Sequence, residues 1–222
     1  MSKQGSKFIK LNKLSDLGLR NLRGGKARRP ELTSMQSGVS KANVYIKASR
    51  AYTIQLELAQ KAMDLLHLVC DVNPAIVLDL GCGSGISSKV IADRGHFPIG
   101  VDINPSVLKL MTGQRDCSAN AVLSDISKDF PFRRGIFDTA VSISFLQWLI
   151  VDENVDTLSV FFRSLKLCLT EKGAAVLQFY PRTVADVEKT VNSASLFFKG
   201  FLVCDYPHKN RGKKLFIVLF SL

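Results

Sequence analysis

The stretch Ile76 to Gly85, reading IVLDLGCGSG, constrains the fold more than any other: a short apolar run ends in an acid and passes directly into three alternating glycines. Such a run suits a buried parallel strand whose end becomes a ligand loop. Gly81, Gly83 and Gly85 allow a tight turn and let a ligand approach the backbone closely. Farther on, Ile99-Gly100-Val101-Asp102 reads as a second short strand closing on an acid. A carboxylate there can accept hydrogen bonds from two adjacent ribose hydroxyls, so the two pieces predict one nucleoside-binding βαβ unit.

The spacing separates classes of ligand. A dinucleotide fingerprint reads GxGxxG and cradles a pyrophosphate. Here the pattern is DxGxGxG, with Asp79 ahead of the loop. A carboxylate repels a pyrophosphate but attracts an ammonium or a sulfonium. The combination resembles the S-adenosylmethionine loop of class I methyltransferases; a nicotinamide site and a ligand-free structural turn are the alternatives. Asn120 to Leu123 reads as a third strand followed by Ser124 and Asp125, from which Asp125 can accept from an adenine amino group. Phe137 to Ser144 is a fourth strand opening onto hydroxyls, its end expected beside a reactive methyl. Loop capping is the alternative role for Asp125, and strand termination for Asp138.

At 222 residues and 46% hydrophobic composition, the chain suffices for one substantial core and is short for two. The net charge of +11 favours a polyanionic partner. Residues 1–40 hold nine Lys or Arg against Asp16 and Glu31, seven of the eleven net positive charges. That segment is expected to be a disordered basic tail, with residues 41–222 forming a single domain. The tail suits nucleic-acid binding or a nuclear or nucleolar address; a short amphipathic helix over Phe8 to Leu19, as in an organellar presequence, is the lesser alternative. No apolar run of membrane length and no secretory core stand in the sequence, which predicts a soluble intracellular protein.

Helical spacing of Ile54, Leu58, Ala62, Leu65, Leu66 and Val69 predicts a helix over 48–69, preceded by a segment, 41–50, able to arch over the ligand. Helices are expected over 87–94, from 105 to 111, over 155–169 and over 184–195. Strands are expected at 174–179 after a Lys172-Gly173 turn, at 201–205 and at 215–220, closing as an antiparallel pair. The expected strand order, counting from Ile76, is 3-2-1-4-5-7-6, with the loop ends of the parallel strands on one rim. Cys70, Cys82, Cys117, Cys168 and Cys204 show no metal-ligand spacing, nor do His67, His96 and His208. No bound metal is expected, and the thiols are expected reduced.

Three further motifs narrow the resemblance. Ser142 to Leu149 (SISFLQWL), Gln178 to Pro181 (QFYP) and the lead-in Ala42-Asn43-Val44-Tyr45 through Arg50 resemble the eukaryotic small-subunit (18S) ribosomal RNA guanine-N7 methyltransferases. The likeness runs from Lys41 to the last strand. It implies an α/β, Rossmann-like three-layer sandwich with a mostly parallel seven-stranded sheet and an antiparallel last strand. It implies methyl transfer from S-adenosylmethionine to guanine N7 of pre-ribosomal RNA in the nucleus or nucleolus, and a heterodimer with a small zinc-binding activator on pre-40S particles. The cofactor set expected on this basis is Tyr45, Arg50, Asp79, Gly81, Cys82, Gly83, Asp102, Ile103, Asp125, Ile126 and Ser142. Gln147, Trp148, Tyr180 and Pro181 are expected at the substrate base. The sequence departs from the family at residues 35–40, which lack an acidic and aromatic stretch, and in ending at Leu222 without a long basic segment; the basic amino-terminal tail is the expected substitute.

Guanine N7 carries an in-plane lone pair outside the aromatic sextet, so its methylation needs approach and alignment more than a general base. Trp148 and Tyr180 are candidate stacking faces, and Gln147 a reader of the Watson–Crick edge. Two other readings stay open: a catalytically weak ribosome-assembly protein retaining the fold, and a methyltransferase acting on a small molecule or protein.

Overall fold

The computed structural model describes residues 7–11, 49–71, 73–112, 120–150, 156–205 and 214–221. The organising strand is β2 (Ile76–Leu80), central because both of its edges are paired in parallel. On one side it meets β3 (Phe97–Asp102), with Asp79 opposite Gly100, and β3 meets β4 (Asn120–Leu123). On the other side it meets β5 (Phe137–Ile143), which pairs in parallel with β6 (Leu169–Phe179). The chain leaves β2 toward β3 and β4 and then returns to its opposite edge. That reversal opens a crevice at the carboxyl ends of the strands, where open α/β sheets bind ligands.

Among the described residues the helices are α1 (Ser49–His67), α2 (Ile86–Asp93), α3 (Pro105–Thr112), α4 (Gln147–Ile150), α5 (Thr157–Cys168) and α6 (Val184–Ser195). Side chains alternate across the sheet. Val77, Val141 and Val176 join Leu58, Ala62 and Met63 of α1 and Val90 and Ile91 of α2. Leu78, Leu80 and Ala140 join Phe161 and Phe162 of α5 and Val187 and Val191 of α6. With both faces covered, the parallel strands read as continuous apolar runs.

The sheet is completed by β7 (Phe198–Asp205) and β8 (Lys214–Ser221), both antiparallel to their neighbours. Counted from Ile76, the order is the expected 3-2-1-4-5-7-6, but among the described residues the sheet has eight strands rather than seven. The additional strand, β1 (Lys7–Lys10), pairs antiparallel with β7. Residues 7–10 therefore depart from the reading of 1–40 as a disordered tail and of this stretch as a helix. Ile9 and Leu11 bury in the core under α5 and α6, and Phe8 lies 5.5 Å, centroid to centroid, from Phe201. The rest of the basic segment, residues 12–40, lies outside the described residues, as does the lead-in 41–48. The expected turn at Lys172-Gly173 is instead an irregularity within β6, where Leu169 pairs with Phe137 and Ala174 with Thr139.

Candidate functional site

At the end of β2 the chain enters the left-handed region at Gly81 (φ +69°) and Gly83 (φ +54°). The N–H groups of Gly81 and Cys82 donate to the Val101 carbonyl at 2.8 and 3.1 Å, which ties the loop to β3. The Gly83 N–H donates to Oδ2 of Asp102 at 3.0 Å, and the Asn104 N–H to Oδ1 at 2.9 Å. Asp102 is thus aimed at the loop by backbone alone. Burial raises its pKa, and the bonds from Asn104 and Gly83 oppose that rise. A Cβ at Gly81 would lie 2.6 Å from the Phe145 ring, whereas one at Gly83 would meet no described residue within 4 Å. The loop is packed tight on its Phe145 side and open at Gly83.

Asp79 is fully buried beneath this loop. Ser87 and Ser88, in the first turn of α2, donate their hydroxyls to its Oδ2 at 2.7 and 2.5 Å. Its Oδ1 has no hydrogen-bond partner among the described residues. Burial, with the Asp102 charge adding, raises the pKa of Asp79 to about 6 against the pull of the two serines. A half-satisfied buried carboxylate is a site for a cationic group. Ser87 and Ser88 escaped the sequence reading, although hydroxyls at the start of the crossover helix were the available signal.

The remaining expected cofactor residues divide. Ile103 stands exposed beside Asp102, and Ile126 is buried next to Asp125. Oδ1 of Asp125 accepts from the Ser127 N–H and hydroxyl at 3.0 and 2.6 Å, and Oδ2 lies 3.7 Å from the Lys128 ammonium, so this carboxylate caps its own loop. Cys82 packs inward with Leu108 and Met111, its Sγ 3.6 Å from the Met111 sulfur. Ser142 is fully buried and donates to the Leu80 carbonyl at 2.9 Å. Its hydroxyl joins β5 to the end of β2 instead of facing a ligand. Tyr45 lies outside the described residues, and of Arg50 only its backbone place in the first turn of α1 is described.

Across the crevice, Ser144 follows β5 with φ +58°, a conformation costing a non-glycine residue about 1–3 kcal/mol unless its surroundings hold it. Gln147 bends back, its Nε2 donating to the Ser144 carbonyl at 2.6 Å, while its Oε1 is buried without a partner among the described residues. Trp148 is half-buried next to it. Tyr180 and Pro181 follow β6 on the same rim, with Pro181 buried. The Lys214 ammonium sits 4.6 Å from the Tyr180 ring centroid, so a cation covers one face of that ring. Among the described residues, no three His, Cys, Asp or Glu side chains converge as a metal site, and no helix is long and apolar enough to cross a membrane.

Comparison with known proteins accords with this geometry. Residues 78–177 match the family described as a methyltransferase domain. The chain is 41% identical over 183 residues to "Probable 18S rRNA (guanine-N(7))-methyltransferase" of Dictyostelium discoideum, covering 80% of this chain and 63% of that protein. It is 35% identical over 205 residues to the 18S rRNA (guanine-N(7))-methyltransferase of Bos taurus, covering 88% and 72% respectively. The chain thus spans less than two thirds of the length of the Dictyostelium protein. Among solved structures, a TehB-like SAM-dependent methyltransferase from Corynebacterium glutamicum superposes with a TM-score of 0.59 at 20% identity, covering 83% of this chain and 100% of that one. An S-adenosylmethionine dependent methyltransferase from Mesorhizobium loti gives 0.52 at 16% identity, covering 75% and 100%. These two likenesses establish the fold.

Proposed function

The chain belongs to the 18S rRNA (guanine-N(7))-methyltransferase family, and from that premise we propose that it methylates guanine N7 of small-subunit ribosomal RNA using S-adenosylmethionine. The single observation in the site that carries the reading is the buried Asp79, whose Oδ1 lacks a partner among the described residues at the foot of the glycine loop. This fits a cationic nucleoside cofactor: Asp79 opposite its ammonium, Gly83 open to its approach, and Asp102 accepting from its ribose hydroxyls. Asp125 and Ile126 lie along the same rim after β4, where the adenine would be held. When bound, S-adenosylmethionine supplies an electrophilic methyl group on a sulfonium.

The protein's part in transfer is placement. Guanine N7 needs no proton removed, so the rim residues have to bring its lone pair into line and exclude water. Trp148 offers a stacking face, and so does the side of Tyr180 away from Lys214. The Oε1 of Gln147, without a partner among the described residues, is an acceptor for the N–H donors of guanine's Watson–Crick edge. Pro181 fixes the turn after Tyr180.

The proposal extends to a partner. Among the described residues β4 is paired only with β3, so its outer edge is open to another strand, and Ile103 and Leu123 are more than half exposed beside it. A small zinc-binding activator docking there, with the zinc in that partner, completes the reading, as do pre-40S particles as substrate and the nucleus and nucleolus as location. Coexpression followed by size exclusion tests the heterodimer. For the acceptor, the test is competition among rRNA, free nucleosides and protein for a labelled methyl group. Transfer confined to rRNA supports the proposal; transfer to free nucleosides or protein in preference would overturn it.

A further inference from the structure

Ser144 is joined to its surroundings through every polar group it has, and the direction of each bond is set. Gln178, fully buried, donates Nε2 to the Phe179 carbonyl at 3.1 Å, which turns its Oε1 toward Ser144. That oxygen accepts from the hydroxyl of Ser144 at 3.0 Å and from its N–H at 3.0 Å, an N–H it shares with the Gln178 backbone carbonyl at 3.1 Å. The single hydroxyl proton of Ser144 is thereby committed, so its Oγ can only accept from the other side. It does so from Nε2 of Gln55 on α1 at 3.2 Å. The Ser144 carbonyl takes the remaining bond, from Gln147. A relay therefore runs from α1 through Ser144 to the residue whose Oε1 is left bare.

The backbone conformation makes this arrangement informative. At φ +58° a glycine would sit without strain, and the serine contributes only a Cβ that disfavours the conformation and the hydroxyl that joins Gln55 to Gln178. The turn it controls is short: Trp148 N–H donates to the Phe145 carbonyl at 2.9 Å, and α4 follows at once. A shift at Ser144 is therefore passed directly to Gln147 and Trp148. Meanwhile α1 packs its other residues against β5, β6 and α2.

We propose that Gln55, Ser144 and Gln178 form a directional hydrogen-bonded brace that positions the Gln147–Trp148 turn for the acceptor base, with Gln55 making that position depend on α1. All three are positioning residues, and the proposal rests on the reading of the crevice as a base-methylation site.

Trp148 is the only tryptophan in the chain, so its fluorescence reports the turn without any need for catalysis. The experiment compares wild type with Gln55→Ala and Ser144→Gly, the second removing the hydroxyl while relieving the backbone. Each is measured for melting temperature, S-adenosylhomocysteine affinity, Trp148 emission with acrylamide quenching, and kcat and KM on rRNA. The expected result is a stable protein with cofactor affinity within about twofold of wild type, and a red-shifted, more readily quenched Trp148. With that goes a fall in kcat of roughly 10- to 100-fold, the scale of a small misplacement of reacting groups. Unchanged Trp148 emission in both variants overturns the brace, as does a kcat loss that merely tracks a drop in melting temperature. If wild type transfers no methyl to rRNA, the functional reading fails, while the fluorescence still decides whether the brace holds the turn.

Discussion

Gly81 and Phe145 are packed so closely that a single added Cβ at Gly81 would lie 2.6 Å from the ring and 2.8 Å from the Cβ of Phe145. The loop expected to hold the cofactor and the turn expected to hold the base therefore share a contact with no slack. The ring cannot swing aside at its own Cβ, so a methyl added at Gly81 finds no relief on that side.

This contact distinguishes neighbouring glycines. Gly81→Ala adds the clash to the strain of φ +69°, and it is expected to lower the melting temperature and abolish S-adenosylhomocysteine binding. Gly83→Ala has φ +54° but no clash, and is expected to stay folded at a cost of about 1–2 kcal/mol. Its new methyl points into the space proposed for the cofactor, so calorimetry should still find binding weakened. Equal destabilisation of both variants would contradict the asymmetry.

Asp79 sets a pH dependence on ligand affinity. Its pKa, raised to about 6 by burial and the Asp102 charge, leaves it ionised above that pH and neutral below. The charged form attracts the ligand ammonium, so affinity for S-adenosylhomocysteine should fall as pH drops through about 6. It should be about tenfold weaker at pH 5 than at pH 7.5, one pH unit of linkage. Asp79→Asn should bind weakly at both values. A flat wild-type profile over this range would remove the carboxylate from the site.

Stability should respond to pH through a different pair, at the opposite end of the strands. His96 is buried and its Nδ1 accepts from the Ala75 N–H at 3.2 Å, so its own proton lies on Nε2, 3.2 Å from Nε2 of His67. A second proton on His96 would break the bond to Ala75. Burial first, then the neighbouring His67 and Arg94 charges, lower its pKa below the ordinary histidine value. The unfolded chain then binds more protons as pH falls through about 6.5, and its stability contribution, complete above that value, declines below it. His96→Asn keeps an acceptor for Ala75 without titrating. Melting curves should show wild type losing more stability than this variant between pH 7.5 and 5.5; parallel losses would exclude His96 as the source.

The sequence made the centre of the sheet legible because each strand there carries its own signal: an apolar run, then a glycine or an acid. Asp79, Gly83 and Asp102 lie at one strand-end crevice for that reason. What escaped depends on distant partners. Lys7–Lys10 becomes β1 only because β7 offers an edge nearly two hundred residues away, and nothing in four residues flanked by basic sequence announces that pairing. Gln55 is one polar residue in an amphipathic helix, and its bond to Ser144 crosses 89 residues. Ser142, within β5 and expected in the cofactor set from the resemblance, faces the Leu80 carbonyl, since alternation assigns a side of the sheet but not a hydrogen-bond partner. Tyr180 was legible as a rim aromatic, whereas Lys214 across its face depends on the pairing of β6 with β8.

The central claim is that this crevice delivers a methyl group to guanine N7 in small-subunit rRNA. Its most direct measurement is to incubate the chain, alone and with a zinc-binding partner, with labelled S-adenosylmethionine and unmodified small-subunit precursor particles. The label is then located by nucleoside mass spectrometry and by strand cleavage at 7-methylguanosine. The expected result is label in 7-methylguanosine at one rRNA position, lost in Asp79→Ala. Cofactor bound but no label in rRNA with the partner present would contradict the claim and favour a ribosome-assembly protein that retains the fold; label in another nucleoside, or in protein, would contradict it in favour of a different acceptor.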